Sequence, residues 1–414
     1  MKRALKACIR TFGLSGLILA VASMSAIAQK KYDPGVTDTE IKIGNIVPYS
    51  GPASAYGIFG KTMSAYFRMI NDNGGVNGRK INFISYDDAY SPPKTVEKAR
   101  QLVEGDGVFL IFAGVGTATN AAIQKYMNTM RVPQLFALTG ASRWGDPEHF
   151  PWTIGWQPTY RAEARIYATY IMEHYPNAKI GLLFRNDDLG RDYILGLKEV
   201  LGDKFDKTVV VSEAYEVGTP TVDSQVVAIK TAKPDIFINI ASPKYAAQAI
   251  KKLAELDWHP IHILAVVGAS IGAVLKPAGL DNSKGMLSAN SATDVTGPQW
   301  DSYPGMQRFR AFMARYYPEA DKSDGFTLGA YNISTSLVEV LKRCGDDLTR
   351  ENVMKVVANL DFGIDTLRPG IRVKTSPTDF YPIEQMQMLR FTGEHWEGVG
   401  PIIDGHAEHV APSR

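Results

Sequence analysis

Three stretches of this chain set reactive or polar side chains at spacings that chemistry uses. Gly268-Ala269-Ser270-Ile271-Gly272 follows an apolar run and has the G-x-S-x-G form of a nucleophile elbow, in which the glycines make room for a sharp strand-to-helix turn beneath the serine. Asp361, Asp365 or Asp404 and His395, His406 or His409 lie downstream in the order that a Ser…Asp…His hydrolase uses, but no HGGG-type oxyanion loop precedes them. Gly57–Thr62 (GIFGKT) ends as a phosphate-binding loop ends, yet Ala55 stands where that motif needs its first glycine. Gly114-Val115-Gly116 opens like a dinucleotide fingerprint, and Thr119 replaces the last glycine that would admit a pyrophosphate. His149, His174, His259 and His262 form no ligand-spaced cluster, so neither a metal nor a cofactor is expected.

Binding chemistry fits the polar loops better. Gly114–Asn120 (GVGTATN) puts Thr117 and Thr119 at a helix start, where free N–H groups and the positive dipole end hold a carboxylate without any arginine. Thr139-Gly140-Ala141-Ser142 and the Ser50–Tyr56 loop follow apolar runs in the same way. For each hydroxyl alone, capping the helix is the commoner role. Together they mark the carboxyl ends of neighbouring strands, where open α/β sheets bind small ligands.

The elements behind these loops alternate regularly. Strands are expected at 41–47, 81–86, 108–113 and 134–138, with helices at 60–71, 94–104 and 120–130 between and after them. After a Pro- and Trp-rich connector at 146–158 the alternation restarts, with strands at 179–184, 208–215, 235–240 and 262–267. An irregular piece follows Met286, then helices at 306–317, 329–343 and 350–359, then a terminal hairpin. The fold class is α/β, with two parallel sheets covered by helices.

Residues 1–28 read as a secretory leader: Lys2, Arg3, Lys6 and Arg10, an apolar Phe12–Val21, and the A-x-A site Ala26-Ile27-Ala28. Its removal takes a chain with 45 basic and 43 acidic residues from net +2 to slightly negative, which excludes a nucleic-acid-binding balance. Cys344 is then the one cysteine left, so no internal disulfide is available. A soluble, periplasmic product is expected.

IKIGNIVPYSGPASAYG at 41–57, NGGVNGRK at 73–80 before Tyr86-Asp87-Asp88, GVGTATNAA from Gly114, and Val132-Pro133-Gln134-Leu135 leading to Thr139 resemble the leucine/isoleucine/valine-binding (hydrophobic amino acid) family of periplasmic solute-binding proteins of ABC importers. That resemblance implies the type I periplasmic-binding-protein fold, two Rossmann-like lobes joined by a three-crossing hinge. Lobe 1 is expected over 37–153 and 285–366, and lobe 2 over 154–284 and 367–410, the last piece including the hinge return. It implies a monomer without cofactor that hands a small ligand to an inner-membrane permease, with a ligand sensor of the same fold and a Ser270 hydrolase as the alternatives. By the same resemblance Tyr56 lies against the ligand, partnered by Thr117 across the cleft. Thr117, with Gly116 or Ala118, holds the ligand carboxylate; Thr139, Gly140, Ala141 and Ser142 form a second polar turn; Phe326 walls the side-chain pocket, and Leu189 takes the ligand-facing position where the family often has an aromatic. The family's ammonium-binding acid falls near Val267, where AVVGAS has none. A buried ammonium without a partner is costly, so a carboxylate lacking an α-amino group, aromatic or branched, is favoured. Tyr56, Tyr90, Trp144 and Tyr160 suit an aromatic ligand. Asp187, Asp188 or Asp223 would have to reach any amine.

Overall fold

The computed structural model describes residues 30–406, so the leader and His409 lie outside the described residues. In the first sheet Lys80–Asp87, Glu40–Val47, Leu110–Phe112, Gln134–Ala137 and Thr153–Gly155 lie side by side in that order, all parallel. Glu40–Val47 is apolar on both faces. Ile41, Ile43 and Val47 enter the core under helices Gly57–Asp72 and Phe326–Cys344, while Ile46 packs oppositely against Ile111 and Met127. Buried Asn45 ties three strands together: its Nδ2 donates to the Phe112 and Ala113 carbonyls (2.8 and 3.1 Å) and its Oδ1 accepts from Ser85 Oγ at 2.7 Å.

The second sheet has seven strands, in the order Trp396–Asp404, Gln385–Phe391, Leu287–Asn290, Ile261–Leu264, Ile236–Ile240, Ile180–Arg185 and Val209–Tyr215. Gln385–Phe391 runs antiparallel and forms a hairpin with Trp396–Asp404; the other pairings are parallel. Separate apolar clusters cover its two faces, one including Ile180, Ile238 and Met388, the other Leu183, Phe237 and Leu389.

Three elements depart from the sequence reading. The connector after Asp146 contributes Thr153–Gly155 to the first sheet, and the piece after Met286 begins with strand Leu287–Asn290. Both are too short to show a period of two. The strand expected over 262–267 stops at Leu264, because Val266–Gly268 tightens into a single helical turn that faces the cleft.

The chain passes between the sheets three times: before helix Tyr160–His174, after Leu287–Asn290, and between Val373–Lys374 and Gln385–Phe391. The second passage is stitched to the hinge-side segment 366–368, where Thr293 N–H donates to Thr366 O (3.0 Å) and Arg368 N–H to Ser291 O (2.9 Å). This is the hinged, two-lobed type I arrangement, and its cleft lies where the carboxyl ends of both parallel sets converge. Among the described residues no helix is long and apolar enough to cross a membrane.

Candidate functional site

A cavity of about 170 Å³ lies between the lobes. Its first-lobe wall begins with the buried rings of Tyr56, Phe59 and Phe326, packed with centroids 5.3 to 6.3 Å apart. Tyr56 stands on the turn Ser54–Tyr56 that opens helix Gly57–Asp72. The GIFGKT segment is already helical there, so it makes no phosphate cradle. Tyr56 OH donates to Val267 O at 3.1 Å, on the opposite lobe. The cross-cleft partner of Tyr56 is therefore Val267, whose carbonyl the helical turn presents, rather than Thr117, which sits on the same lobe as Tyr56.

Thr117 opens helix Thr117–Met130. Its Oγ1 lies 3.0 Å from Thr139 Oγ1 and 3.2 Å from Tyr160 OH, a buried hydroxyl triangle, and its N–H donates to Tyr90 OH at 3.3 Å. Gly116 is required beside it: its φ is 111°, and a Cβ there would meet the Tyr90 ring at 2.4 Å. Tyr90 is itself aimed by strain. Ala89 and Tyr90 both take left-handed conformations (φ 52° and 61°), held by Ala89 N–H to Asp87 and Tyr90 N–H to Asp88, at 2.8 and 2.9 Å.

Facing this group from lobe 2 is Arg185, the last residue of strand Ile180–Arg185, only 3% exposed. Its guanidinium lies 5.6 Å from the Tyr90 ring centroid. Its Nε donates to Asp187 Oδ2 at 2.8 Å, while Asp187 Oδ1 caps the next helix through Leu189 N–H at 3.0 Å. Among the described residues its terminal amino groups donate to no acceptor, and the side chain lines the cavity. Burial works against the charge, but the hydroxyls of Tyr90, Tyr215 and Tyr160 and the Asp187 carboxylate hold Arg185 firmly protonated. Burial pushes Tyr90 up to about 12, against the pull of Arg185, so these tyrosines are neutral donors at pH 7.

Of the residues singled out from sequence, Tyr56, Tyr90, Gly116, Thr117, Tyr160, Leu189, Val267, Ser270 and Phe326 line the cavity. Thr139 stands behind Thr117 and accepts from Ala141 N–H at 3.2 Å; Gly140 supports Tyr160 N–H. Ala118 and Ala141 do not line the cavity. Ser142 is committed elsewhere, its N–H and Oγ both donating to Asp192 on the other lobe (2.6 and 2.9 Å). Ser50 Oγ is likewise held by Asp87, Thr119 Oγ1 donates to Val115 O, and Trp144 packs in the second-lobe core. Asp188 pairs with Arg143 and Arg191, and Asp223 is exposed near Lys252, so with Asp187 none of the three acids lines the cavity. The carboxylate that does is Asp294, already accepting from Trp396 N–H (2.7 Å) and Thr296 Oγ1 (3.0 Å).

Ser270 does not assemble the expected triad. Its Oγ donates to Asp324 Oδ1 at 2.7 Å and accepts from Ala273 N–H at 3.2 Å, a cap that also bridges the lobes. Asp361 and Asp365 pair with Arg372 and Arg308, Asp404 accepts from His406 N–H, and His395 stands beside Glu397. Among the described residues no His, Cys, Asp and Glu group has a metal-binding arrangement.

Arg185 and a second buried arginine on the cavity, Arg368, escaped the sequence reading. The first carried a signal, a cation closing an otherwise apolar strand at its carboxyl end. The second carried none.

A family profile described as periplasmic binding protein matches residues 40–395. A Leu/Ile/Val-binding protein homolog 7 of Brucella abortus is 23% identical over 346 residues, covering 79% of this chain and 82% of the relative. A branched-chain amino acid ABC transporter structure from Thermus thermophilus with bound valine superposes with a TM-score of 0.77 at 16% identity, covering 89% of this chain and 97% of the other. An ABC transporter solute-binding protein from Rhodopseudomonas palustris BisB5, in complex with 3,4-dihydroxybenzoic acid, gives 0.74 at 19% identity, covering 88% and 98%.

Proposed function

This chain belongs to the periplasmic binding protein family, and we propose that it is the extracytoplasmic substrate-binding protein of an ABC importer of the branched-chain amino acid type, closing by hinge motion on a small carboxylate that lacks an α-amino group. The closed, loaded form is then presented to an inner-membrane permease. The observation that carries the ligand assignment is Arg185: a buried guanidinium on the cavity wall, fixed through Nε by Asp187 and facing the hydroxyls of lobe 1. A planar carboxylate matches that fork. Asp294, the carboxylate that lines the cavity, accepts from Thr296 and Trp396 and has its charge offset by neighbouring Arg368, so it favours a ligand ammonium less than a free carboxylate would. The dihydroxybenzoate complex of a structural neighbour supports an amine-free acid in this fold, and the valine complex of another is the alternative against which it is tested. Calorimetric titration with benzoate, 4-methyl-2-oxopentanoate, leucine and phenylalanine distinguishes them. The proposal expects the acids to bind and the amino acids to bind far more weakly; tight leucine binding with silent acids overturns it.

A further inference from the structure

The carboxylate reading leaves a second cation on the cavity unused. Arg368 lies on the hinge segment whose Leu367 pairs with Ala292, and it is 3% exposed. Its Nη1 donates to Gln387 Oε1 at 2.7 Å, and its guanidinium lies 5.7 Å from the Trp300 ring centroid. Its Nε and Nη2 are buried with no hydrogen-bond partner, although the side chain lines the same cavity as Arg185. Burial pulls Arg368 down to about 10, with Asp294 opposing, so it stays charged at neutral pH. Asp294 makes no hydrogen bond to these donors; its oxygens accept from Trp396 and Thr296 instead. Two unpaired N–H sites on a buried cation are the arrangement that folded proteins avoid unless something else supplies the acceptor.

The two arginines approach the cavity from different places. Arg368 is bonded to Ser291, directly after strand Leu287–Asn290, and Arg185 ends strand Ile180–Arg185, three places along the same sheet. At ~4.8 Å per strand the strand ends at Ser291 and Arg185 stand about 14 Å apart, with Arg368 one backbone hydrogen bond from Ser291 and with Tyr56, Phe326, Trp156 and Val267 among the walls of the same cavity. We propose that Arg368 is a second anion-receiving point at the hinge end of the cleft, so that the preferred ligand is a dicarboxylate whose two acid groups are separated by a ring or short apolar spacer. This rests on the reading of Arg185 as the first carboxylate site.

The test is a matched titration of unliganded protein with benzoate against benzene-1,4-dicarboxylate, and hexanoate against adipate. In at least one pair the diacid is expected to bind ten-fold tighter or more than its monoacid. In Arg368→Met that ratio falls toward one, and Arg368→Lys, which keeps charge but loses the planar fork, lies between. Monoacids binding as well as diacids in the native protein overturns the second site and leaves the first standing; so does a diacid advantage that survives in Arg368→Met. Leucine binding with every acid silent overturns the carboxylate reading and this proposal with it. If a circular dichroism melt shows that Arg368→Met does not fold, Arg368→Lys carries the comparison: an unchanged diacid ratio there overturns the second site.

Discussion

Replacing Arg185 by glutamine is the sharpest test of the proposed site. The side chain is buried, its Nε is fixed by Asp187 at 2.8 Å, and it lines the cavity. A bound carboxylate would accept charge-assisted hydrogen bonds there, each of about 1.5–3 kcal/mol. Truncating one side of a desolvated charge pair costs about 2–5 kcal/mol. Glutamine restores one neutral donor, so a net loss of ~3 kcal/mol is expected, or roughly a hundred-fold in Kd. The Thr117, Thr139 and Tyr160 hydroxyls remain and keep binding from vanishing. Asp187 keeps its cap on Leu189, so the variant should fold. Isothermal calorimetry with benzoate measures the change. Because the pair is buried, the native affinity should also change little as salt rises from ~0.05 to ~0.5 M. A loss under about three-fold, or a strong salt dependence in the native protein, refutes the assignment of Arg185 as the carboxylate anchor.

Thr117→Ala removes one corner of the hydroxyl triangle and should weaken benzoate binding by about 1–3 kcal/mol in the same titration; an unchanged Kd moves the ligand off that helix start. Tyr56→Phe keeps the ring packing but deletes the cross-cleft bond to Val267 O, so affinity should drop by about 0.5–1.5 kcal/mol and small-angle scattering should show a larger open fraction at subsaturating ligand. A fluorophosphonate should leave Ser270 unlabelled, because its hydroxyl proton is committed to Asp324; labelling seen by peptide mass spectrometry would revive the hydrolase. Glu163 is buried, with Oε1 accepting from Tyr167 OH and Val266 N–H, and burial pushes its carboxyl from 4.5 to about 7. The native state then holds a proton that the unfolded chain releases, so this group costs stability progressively from about pH 4.5 to 7 and no further above, by ~3 kcal/mol in all. The melting advantage of Glu163→Gln over the native protein should grow across that window and then level off; a flat difference contradicts the raised pKa.

What was legible in the sequence followed from period and punctuation. Glu40–Val47 and Ile180–Arg185 are apolar runs closed by polar turns, and helices such as Thr117–Met130 follow them directly. Thr153–Gly155 and Leu287–Asn290 were not legible, since three or four residues carry no period and owe their strand geometry to neighbours already in place. The same limit governs the site. Tyr56, Gly116 and Thr117 stand on loops whose position follows from the strand before them. Ser50 and Ser142 stand on equally suggestive loops, but Asp87 and Asp192 reach them first, and those contacts span 37 and 50 residues. Hydroxyl type predicted a polar partner without saying whether it would be a ligand or the protein. Arg368 is the extreme case. Nothing in Leu-Arg-Pro distinguishes it from a surface arginine until the hinge lays it beside Ser291 and Gln387.

On the proposed reading, the arginine that selects the ligand also explains why closure would await it. Lobe 1 offers the hydroxyls of Thr117, Thr139 and Tyr90, and lobe 2 offers the Arg185 cation together with Tyr160. Bringing these walls together without an anion strips water from a guanidinium whose outer donors then have no acceptor, a cost of several kcal/mol for an unpaired buried ion. The direct cross-cleft contacts, such as Tyr56 to Val267 and Ser270 to Asp324, are single hydrogen bonds of roughly 0.5–3 kcal/mol each and offset only part of it. A bound carboxylate satisfies both lobes at once and removes the penalty. Moving a hinge from about 1% to about 99% closed takes roughly 5.5 kcal/mol of differential binding, which is the scale of one desolvated arginine pair. Selectivity and closure would therefore draw on the same interaction: a ligand that leaves Arg185 unpaired is rejected by failing to hold the lobes together, whatever its fit against Phe326 and Leu189.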